Sequence, residues 1–511
     1  MPIDLKQVPV LVIGAGIMGS GIAQVAAQAG HPVFLFDARD GAANQAKAKL
    51  ITLLAGLVAK GRLSDDAVEA TLARITPVAS LQQAASAKLV VEAIVEQLAA
   101  KRGLFQQLEA LLSDDAVLAS NTSSISITAM ANGLQRPGRL VGMHFFNPVP
   151  LMKLVEVVTG LQTLPEVADA IGTLAKAWGK VPVTARSTPG FIVNRIARPY
   201  YAEALALLQQ QAIRPEQLDA CLRTAGFRMG PCELIDLIGH DTNFAVTESV
   251  YEANFYDKRY APSLVQRELI DGGLLGRKSG QGFYRYPEGA PPLQAKPPAT
   301  PSPSTRLLVH GQGAIADQLA SAAAGLTGQP PQRHLDSAWV GLDDDIGRLV
   351  LTDGRSADAW SAASGQIDVA VFDRLASTAT GAGPRVLAYA LSARASSAWA
   401  DQAPAWLGLL GVTPLEMQDS PGLVVGRTQA MLVNEAADAV AQGVCTPDAA
   451  DAAMKLGVNY PPGPFVWLAD WGAQGVIGML DALDAYHRGE RYRVSPWLRR
   501  RAALDRAARP A

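Results

Sequence analysis

The chain has 511 residues, with 45 Lys and Arg against 47 Asp and Glu, and three cysteines, Cys221, Cys232 and Cys445. This length predicts about two to four domains, and the near-neutral charge argues against a nucleic-acid partner, which would require a basic surface. Three widely separated cysteines argue against a disulfide framework or a bound metal and favour a cytoplasmic protein. The N-terminus lacks the features of a signal peptide, and no run of about 18 apolar residues occurs, so we expect no membrane span.

Residues 8–185 alternate short apolar runs with amphipathic stretches, a pattern that predicts a mostly parallel sheet covered by helices. The predicted strands are 8–13, 33–36, 89–93, 117–120 and 140–144, with helices such as 17–29 and 101–112 between them. After Pro189-Gly190 the sequence predicts consecutive helices up to about residue 282. Residues 286–304 are rich in proline, alanine and serine, which is typical of a linker.

The second half of the chain contains a repeat of the predicted helical unit. Residues 189–195 (PGFIVNR) match residues 421–427 (PGLVVGR), and Gly426 replaces the polar Asn194. Between the two copies, a strand–glycine–helix start has Ala316 in place of its third glycine. No acidic residue follows at the end of a second strand, so this segment is interpreted as a degenerate dinucleotide-type fold without bound nucleotide.

The predicted fold class is therefore an α/β Rossmann-type domain, an all-α domain, a degenerate Rossmann-like segment and a second copy of the all-α domain. The predicted boundaries are 1–186, 187–285, 286–304 for the linker, 305–412 and 413–511.

A glycine motif between the first predicted strand and helix indicates a dinucleotide site. Its residues are Gly14, Gly16, Ile17, Met18 and Gly19. Gly14 allows a tight turn, Gly16 lets the backbone approach a pyrophosphate at the helix N-terminus, and Gly19 allows close helix–strand packing. Asp37 ends the second predicted strand, where a carboxylate accepts from ribose hydroxyls and repels a 2′-phosphate, so NAD is favoured over NADP. The alternative is a glycine turn that serves packing alone.

A His–Glu pair is the candidate acid–base centre. His144 ends an apolar strand, and Glu156 follows on the next strand-like run across a proline-rich turn that can bring the two side chains together. A carboxylate facing one imidazole nitrogen fixes the tautomer and stabilises the imidazolium, which suits a base that takes a hydroxyl proton. Taken alone, such a pair is more often structural than catalytic.

A polar cluster follows the strand 117–120 at the carboxyl edge of the predicted sheet. Its residues are Asn121, Thr122, Ser123 and Ser124. Ligands bind at this edge in such folds, so these side chains are candidates to hold a substrate oxygen. Helix capping is the alternative, since Ser and Asn are favoured N-cap residues.

With these motifs in place, the sequence resembles the 3-hydroxyacyl-CoA dehydrogenase family. The resemblance is carried by residues 14–19, 90–96, 121–124, 144–156, 189–195, 230–236 and 275–284. It covers about the first 285 residues. The added second half is similar to a long bacterial form of the family, which oxidises 3-hydroxyadipyl-CoA during phenylacetate breakdown.

The resemblance implies a role for each matching residue. His144 is the general base, Glu156 orients it, Ser123 binds the substrate hydroxyl, and Asn194 contacts the substrate from the helical domain. The implied NAD contacts beyond the glycine motif and Asp37 are Glu96, Lys101, Asn121, Asn147 and Lys278. Lys60 matches a CoA-contacting lysine. Solvated charges remain the alternative for Glu96, Lys101 and Lys60.

The implied reaction is the NAD-dependent oxidation of an (S)-3-hydroxyacyl-CoA to the 3-oxoacyl-CoA, with an acyl-CoA as the small-molecule partner. Arg228 is a candidate for the distal carboxylate of an adipyl substrate, although an ordinary surface arginine is the simpler interpretation. The alternatives are 3-hydroxybutyryl-CoA as substrate, a gulonate-type dehydrogenase without CoA, and an inactive NAD-binding structural protein. The sequence leaves open a homodimer or a monomer with an internal pseudo-dimer of helical domains.

Overall fold

The computed structural model describes residues 3–293, 298–302, 306–375 and 385–507, so residues 294–297 and 303–304 of the predicted linker lie outside the described residues. The strands are β1 Val10–Ile13, β2 Val33–Phe36, β3 Ile75–Pro77, β4 Leu89–Glu92, β5 Val117–Ser120, β6 Leu140–Phe145, β7 Leu154–Thr159, β8 Val181–Arg186, β9 Leu308–His310, β10 Gln332–His334, β11 Gly341–Asp343, β12 Arg348–Leu351, β13 Val369–Phe372, β14 Val386–Leu391 and β15 Thr413–Glu416. The α-helices are α1 Ile17–Gln28, α2 Ala42–Ala59, α3 Asp65–Ala73, α4 Leu98–Leu111, α5 Ile127–Ala131, α6 Pro165–Ala177, α7 Val193–Ile196, α8 Arg198–Gln209, α9 Pro215–Thr224, α10 Pro231–Ile238, α11 His240–Ala253, α12 Leu264–Asp271, α13 Ala314–Thr327, α14 Ala357–Ser364, α15 Ser397–Gly408, α16 Val425–Ala441, α17 Pro447–Gly457, α18 Pro464–Trp471, α19 Ala473–His487 and α20 Pro496–Ala507.

The chain forms two compact units that do not follow the order of the sequence. The first contains Met1–Arg195 and Gln442–Val458, and the second contains Ile196–Ala441 and Asn459–Ala511. Helix α17 of the second helical copy therefore belongs to the first unit. Within the described ranges, no helix is both long and apolar enough to cross a membrane.

The first unit is built on an eight-stranded sheet in the order β3-β2-β1-β4-β5-β6-β7-β8. All neighbouring strands are parallel except β6 and β7, which are antiparallel. Strands β1, β4 and β5 are buried along their whole length, as the centre of a parallel sheet covered by helices requires. The predicted strands are present, although strand 8–13 begins at Val10 and helix 101–112 begins at Leu98. The carboxyl ends of the parallel strands meet at one edge, where the polar residues lie.

The second unit contains a seven-stranded sheet in the order β10-β9-β11-β12-β13-β14-β15. Strands β12 and β13 are parallel, β13 and β14 are antiparallel, and β14 and β15 are parallel. The strands β5 to β8 of the first unit have the same sequence of directions. Strand β9 and helix α13 flank a glycine turn, and β10 pairs in parallel with β9 as β2 does with β1. The predicted degenerate Rossmann-like segment is thus confirmed in fold.

The two helical copies pack against each other reciprocally within the second unit. Glu203 of the first copy accepts from Arg491 and from the Tyr492 hydroxyl of the second at 2.8 and 3.1 Å. Glu435, which matches Glu203 in the repeat, accepts from the Tyr260 hydroxyl of the first copy at 2.6 Å. Such an exchange of matching contacts is typical of subunits related by a two-fold axis. The two copies of the repeat therefore contact each other through matching residues.

Candidate active site

The glycine motif forms the turn between β1 and α1 that was predicted for a dinucleotide. A Cβ at Gly14, whose φ is +100°, would lie 2.4 Å from the Ala93 carbonyl oxygen, and one at Gly19 would lie 1.7 Å from the Gly14 oxygen. By contrast, no atom lies within 4 Å of a Cβ built at Gly16. Gly14 and Gly19 are therefore required for packing, whereas Gly16 leaves open space beside the first N–H groups of α1. This cradle fits the pyrophosphate of a dinucleotide.

Asp37 lies directly after β2 and is tied to the glycine turn. Its Oδ2 accepts from the Ala15 N–H at 2.8 Å, and its Oδ1 accepts from the Arg39 guanidinium at 3.0 Å. The hydrogen bond from Arg39 lowers the pKa of Asp37 to about 2. The carboxylate is therefore ionised near neutral pH and is held against the glycine turn.

His144 and Glu156 face each other directly across the antiparallel pair β6 and β7. The distance from His144 Nδ1 to Glu156 Oε2 is 2.6 Å, and both residues are buried, with 4% and 1% of their surface exposed. Because a carboxylate only accepts, Nδ1 carries the hydrogen of a neutral His144 and Nε2 is free to accept a proton. Ser123 Oγ lies 3.1 Å from this Nε2.

The second oxygen of Glu156 is also fixed. Oε1 accepts from the backbone N–H groups of Ile192 and Val193 at 2.9 and 3.1 Å. These groups belong to a turn in which Phe191 has a φ of +47°, a conformation that is strained for a residue with a side chain. Asn194 follows directly in α7, so the predicted substrate contact adjoins the turn that binds Glu156.

A second polar cluster holds the loop that carries Ser123. Glu96 Oε1 accepts from the Ser123 N–H and the Ser124 N–H at 2.9 and 3.0 Å. Although burial opposes ionisation, a hydrogen bond from the Thr122 hydroxyl and the charge of Lys101 lower the pKa of Glu96. The structure thus gives Glu96 a positioning contact that the sequence alone did not indicate.

Lys101 is buried between two carboxylates. Its Nζ lies 2.5 Å from Glu92 Oε1 and 3.3 Å from Glu96 Oε2. The side chain is only 1% exposed. This bridge joins the end of β4 to helix α4 and fixes Glu96 under the Ser123 loop.

The remaining residues singled out in the sequence have varied positions. Asn121 Oδ1 accepts from the Phe145 N–H at 2.8 Å and ties β5 to β6. Asn147 is exposed after β6, and Lys60 is exposed at the end of α2. Lys278 lies in the second unit, where its Nζ pairs with Asp241 at 2.5 Å.

A groove of about 620 Å³ lies beside the glycine turn, between α1, α2 and residues 147–151. Its α2 wall carries Lys49, Leu53 and Leu57, which share one helix face because they are spaced by one turn. Arg39 and Arg62 also line the groove. Sequence reasoning missed these three cations. The helical spacing of Lys49 with Leu53 and Leu57 was the one signal that could have indicated this wall of the groove.

The second unit lacks this constellation at the matching positions. The repeat spacing places β14 on β7, so that Ala388 occupies the position of Glu156. The residue that pairs across the strands with Ala388 is Asp373, whose N–H donates to the Ala388 oxygen at 2.9 Å. Asp373 thus stands where the first unit has His144, and its carboxylate accepts from the N–H of Val424 at 2.9 Å. The second half keeps a carboxylate that binds the turn before α16, but neither of the two matching positions holds a histidine.

Comparison with family models identifies the class of protein that this fold and site define. The NAD-binding domain of 3-hydroxyacyl-CoA dehydrogenase matches residues 9–188, and the C-terminal domain of the same family matches twice, at 190–286 and 422–511. The 3-hydroxybutyryl-CoA dehydrogenase reduced Rossmann-fold domain matches residues 349–421. The chain therefore belongs to the 3-hydroxyacyl-CoA dehydrogenase family of NAD-dependent oxidoreductases. The predicted fold class, resemblance and cofactor are confirmed.

Two relatives match both halves of the chain. It is 42% identical over 497 residues to 3-hydroxyadipyl-CoA dehydrogenase of Escherichia coli K12, across 97% of this chain and 98% of the relative. The crystal structure of 3-hydroxybutyryl-CoA dehydrogenase from Escherichia coli K12 matches with a TM-score of 0.87 and 40% identity, across 99% of this chain and 100% of that chain. A shorter relative, probable 3-hydroxybutyryl-CoA dehydrogenase of Deinococcus radiodurans, is 45% identical across 54% of this chain and 99% of its own length. The names of the two full-length relatives differ in the acyl group.

Proposed function

We propose that this chain oxidises an (S)-3-hydroxyacyl-CoA to the 3-oxoacyl-CoA with NAD, and that His144, Glu156, Ser123 and Asn194 carry the reaction. The observation that carries this proposal is the line from the half-buried Ser123 Oγ through the buried His144 to the buried Glu156, at 3.1 and 2.6 Å. It lies at the carboxyl edge of a sheet whose glycine turn fits a dinucleotide. This is the edge at which the reacting carbon of a substrate would meet the nicotinamide.

In the proposed mechanism, His144 Nε2 takes the proton of the substrate hydroxyl. The Ser123 hydroxyl, which lies beside this nitrogen, holds the same substrate oxygen. Glu156 keeps the imidazole in the tautomer that can accept and stabilises the imidazolium that forms. NAD, when bound beside the glycine turn, would supply the acceptor for the hydride of C3. The carbon–hydrogen electron pair and the hydroxyl proton thus leave together, and a carbonyl remains.

The groove beside the glycine turn supports a CoA thioester as the substrate class. Its cations Arg39, Lys49 and Arg62 suit phosphate groups, and its leucine face suits the apolar pantetheine arm. Lys60, the CoA contact implied by the resemblance, is exposed at the end of the same helix. The substrate of a gulonate-type dehydrogenase lacks the pantetheine arm that this leucine face suits.

Replacement of His144 tests the mechanism. His144→Ala should lower kcat by about 10²–10⁴-fold, because that is the usual contribution of a general base. NAD binding, measured by calorimetry, should stay unchanged because the glycine turn is not altered. An inactive NAD-binding structural protein is excluded if the wild type produces NADH from either acyl-CoA substrate.

The preferred acyl group is proposed to be 3-hydroxyadipyl. This proposal is supported by the name of the curated relative that covers both halves of the chain, while 3-hydroxybutyryl-CoA is the alternative because a matching crystal structure carries that name. Steady-state NADH production with the two thioesters side by side decides between them. A higher kcat/KM with the adipyl substrate supports the proposal, and a higher value with the butyryl substrate overturns it.

Arg228 is the proposed partner of the distal carboxylate. It is exposed, and no hydrogen bond or ion pair of its guanidinium is found among the described residues. Arg228→Met should raise KM for the adipyl substrate and leave KM for hydroxybutyryl-CoA unchanged. Arg223→Met, which removes a nearby arginine that is already paired with Glu233, is the matched control. Equal changes in KM for the two substrates would show that Arg228 is an ordinary surface arginine.

We also propose that the chain is a monomer whose repeated helical units replace a dimer. The reciprocal contacts of Glu203 and Glu435 support this, since they supply within one chain the packing that subunits usually exchange. Size-exclusion chromatography with light scattering should give a mass near 53.8 kDa. A dimer joined through the first helical copies would contradict it. The cytoplasmic location stays a prediction.

A further inference from the structure

Residues 442–458 belong by sequence to the second helical copy but by packing to the first unit. Helix α17 packs against β7, which pairs with the strand of His144, and against β8. A Cβ at Gly457, the last residue of α17, would lie 2.7 Å from Leu154 and 3.1 Å from Val193 side-chain atoms. The helix therefore approaches the catalytic strand and the turn that binds Glu156 as closely as a glycine permits.

The same segment holds both ends of the loop that presents its N–H groups to Glu156. At the start of the loop, the Arg186 N–H donates to the Val444 oxygen at 2.9 Å and its guanidinium donates to the Gln442 backbone oxygen at 3.2 Å. At the end of the loop, the Arg195 guanidinium donates to Gln442 Oε1 at 2.8 Å. One glutamine thus contacts both flanks of the turn at residues 189–193.

The conformation of this turn needs outside support. Phe191 has a φ of +47°, and a non-glycine residue keeps such a conformation only where its surroundings hold it. If the turn relaxes, the N–H groups of Ile192 and Val193 move away from Glu156 Oε1. Glu156 would then lose two of its three hydrogen bonds and with them its fixed orientation toward His144.

The second unit contains the matching contacts without the chemistry. There the Gln418 N–H donates to the Ala212 oxygen at 3.0 Å, and Gln210 Oε1 accepts from the Ser420 hydroxyl at 3.2 Å. Gln210 matches Gln442 in the repeat, and both are exposed. This second clamp supports a turn that binds the Asp373 carboxylate, but the matching positions hold no His–carboxylate pair for it to orient. The chain therefore provides its own control.

We propose that residues 442–458 are a positioning element of the active site and that Gln442, through Arg186 and Arg195, holds the turn that orients Glu156. The second helical copy then serves catalysis although it carries no catalytic residue. This inference rests on the proposed function, since it needs His144 and Glu156 to be the reacting pair.

The test compares Gln442→Leu with Gln210→Leu in the full-length chain. Gln442→Leu should lower kcat by roughly ten- to a hundred-fold, because a misplacement of about 1 Å in an active site has an effect of that order. KM for NAD should stay unchanged, because the glycine turn lies elsewhere in the unit. Gln442→Glu restores an acceptor for Arg195 and should keep most of the activity. Gln210→Leu should leave kcat at the wild-type value.

The outcomes separate the two proposals. The positioning role of Gln442 is overturned if Gln442→Leu keeps the wild-type kcat, or if Gln442→Leu and Gln210→Leu lose kcat equally. In both cases His144→Ala still tests the proposed mechanism independently. Activity that survives in His144→Ala overturns the proposed function itself. Matching thermal midpoints for the two leucine variants, both at exposed sites, exclude general unfolding as the cause of a lower kcat.

Discussion

Replacement of Glu156 by glutamine tests how the buried carboxylate serves the base. The amide nearly keeps the shape of the side chain, but one of its two ends donates. If the amide oxygen faces the N–H groups of Ile192 and Val193, its NH2 group faces His144 Nδ1 and forces that nitrogen to accept. The hydrogen then resides on Nε2, which can no longer take a proton from the substrate.

The opposite orientation of the amide is no better. It keeps the hydrogen bond to His144 but points two donors at the two backbone N–H groups, and each unsatisfied buried donor costs about 1–3 kcal/mol. One orientation removes the reactive tautomer of His144, and the other disturbs the turn that supports the side chain at position 156. In either case the loss of kcat should approach the loss caused by removing His144. We expect kcat to fall by about 10²–10⁴-fold, or about 3–5 kcal/mol in activation free energy.

Stopped-flow and steady-state NADH formation with saturating acyl-CoA measure this loss, and calorimetry measures NAD affinity, which should not change. Asp373→Asn is the matched control, because Asp373 binds a corresponding turn in the second unit, where no base is present. It should lower the free energy of unfolding by about 1–3 kcal/mol and leave kcat unaltered. A Glu156→Gln enzyme with kcat within tenfold of the wild type would refute the assigned role of the carboxylate.

Three further changes probe the surroundings of the site. Lys101→Met should lower the free energy of unfolding by about 3–5 kcal/mol, measured by urea titration, because Glu92 is then left buried without a cation. Burial lowers the pKa of Lys180 from its ordinary value near 10.5 to about 8. Below about pH 8, Lys180 is protonated in both the folded and the unfolded chain, and its burial as a cation destabilises the fold. Between about pH 8 and 10.5, only the unfolded chain binds this proton. The free energy of unfolding therefore rises with pH in this range, by at most about 3 kcal/mol. In Lys180→Met, unfolding experiments at pH 7 and 9.5 should not show that rise. Asp37→Ser removes a charged acceptor for the ribose and should lower kcat/KM for NAD by about ten- to a hundred-fold while the value for NADP rises, and an unchanged NAD-to-NADP ratio would contradict its role.

Much of the fold could be predicted from local patterns. The alternation of apolar and amphipathic runs placed the strands and helices of the first sheet within a few residues, because burial on both faces of a parallel strand demands a continuous apolar run. The repeat of residues 189–195 at 421–427 revealed the duplication directly. The glycine motif and Asp37 were recognisable because a tight turn and a ribose each need a particular residue at a particular spacing.

The partners of the site residues were not predictable in the same way. Glu96 and Lys101 appeared as cofactor contacts or solvated charges, whereas the structure places Lys101 in a buried bridge to Glu92 and gives Glu96 the task of binding the Ser123 loop. These residues come from different strands and loops, so their contacts depend on how the sheet edge is assembled. Sequence spacing along one helix could not show that.

The sequence by itself determined the family of the first half, because the glycine turn, Asp37 and the other motifs are local patterns of residue type and spacing. The resemblance that these motifs carry implied the roles of His144 and Glu156. Only the tertiary structure decided where the second half acts. It packs residues 442–458 against β7 and β8 of the first unit and sets Asp373 and Ala388 at the positions that match His144 and Glu156. The physical reason is that contacts between segments more than two hundred residues apart are fixed by the packing of whole helices and sheets, which no local pattern encodes.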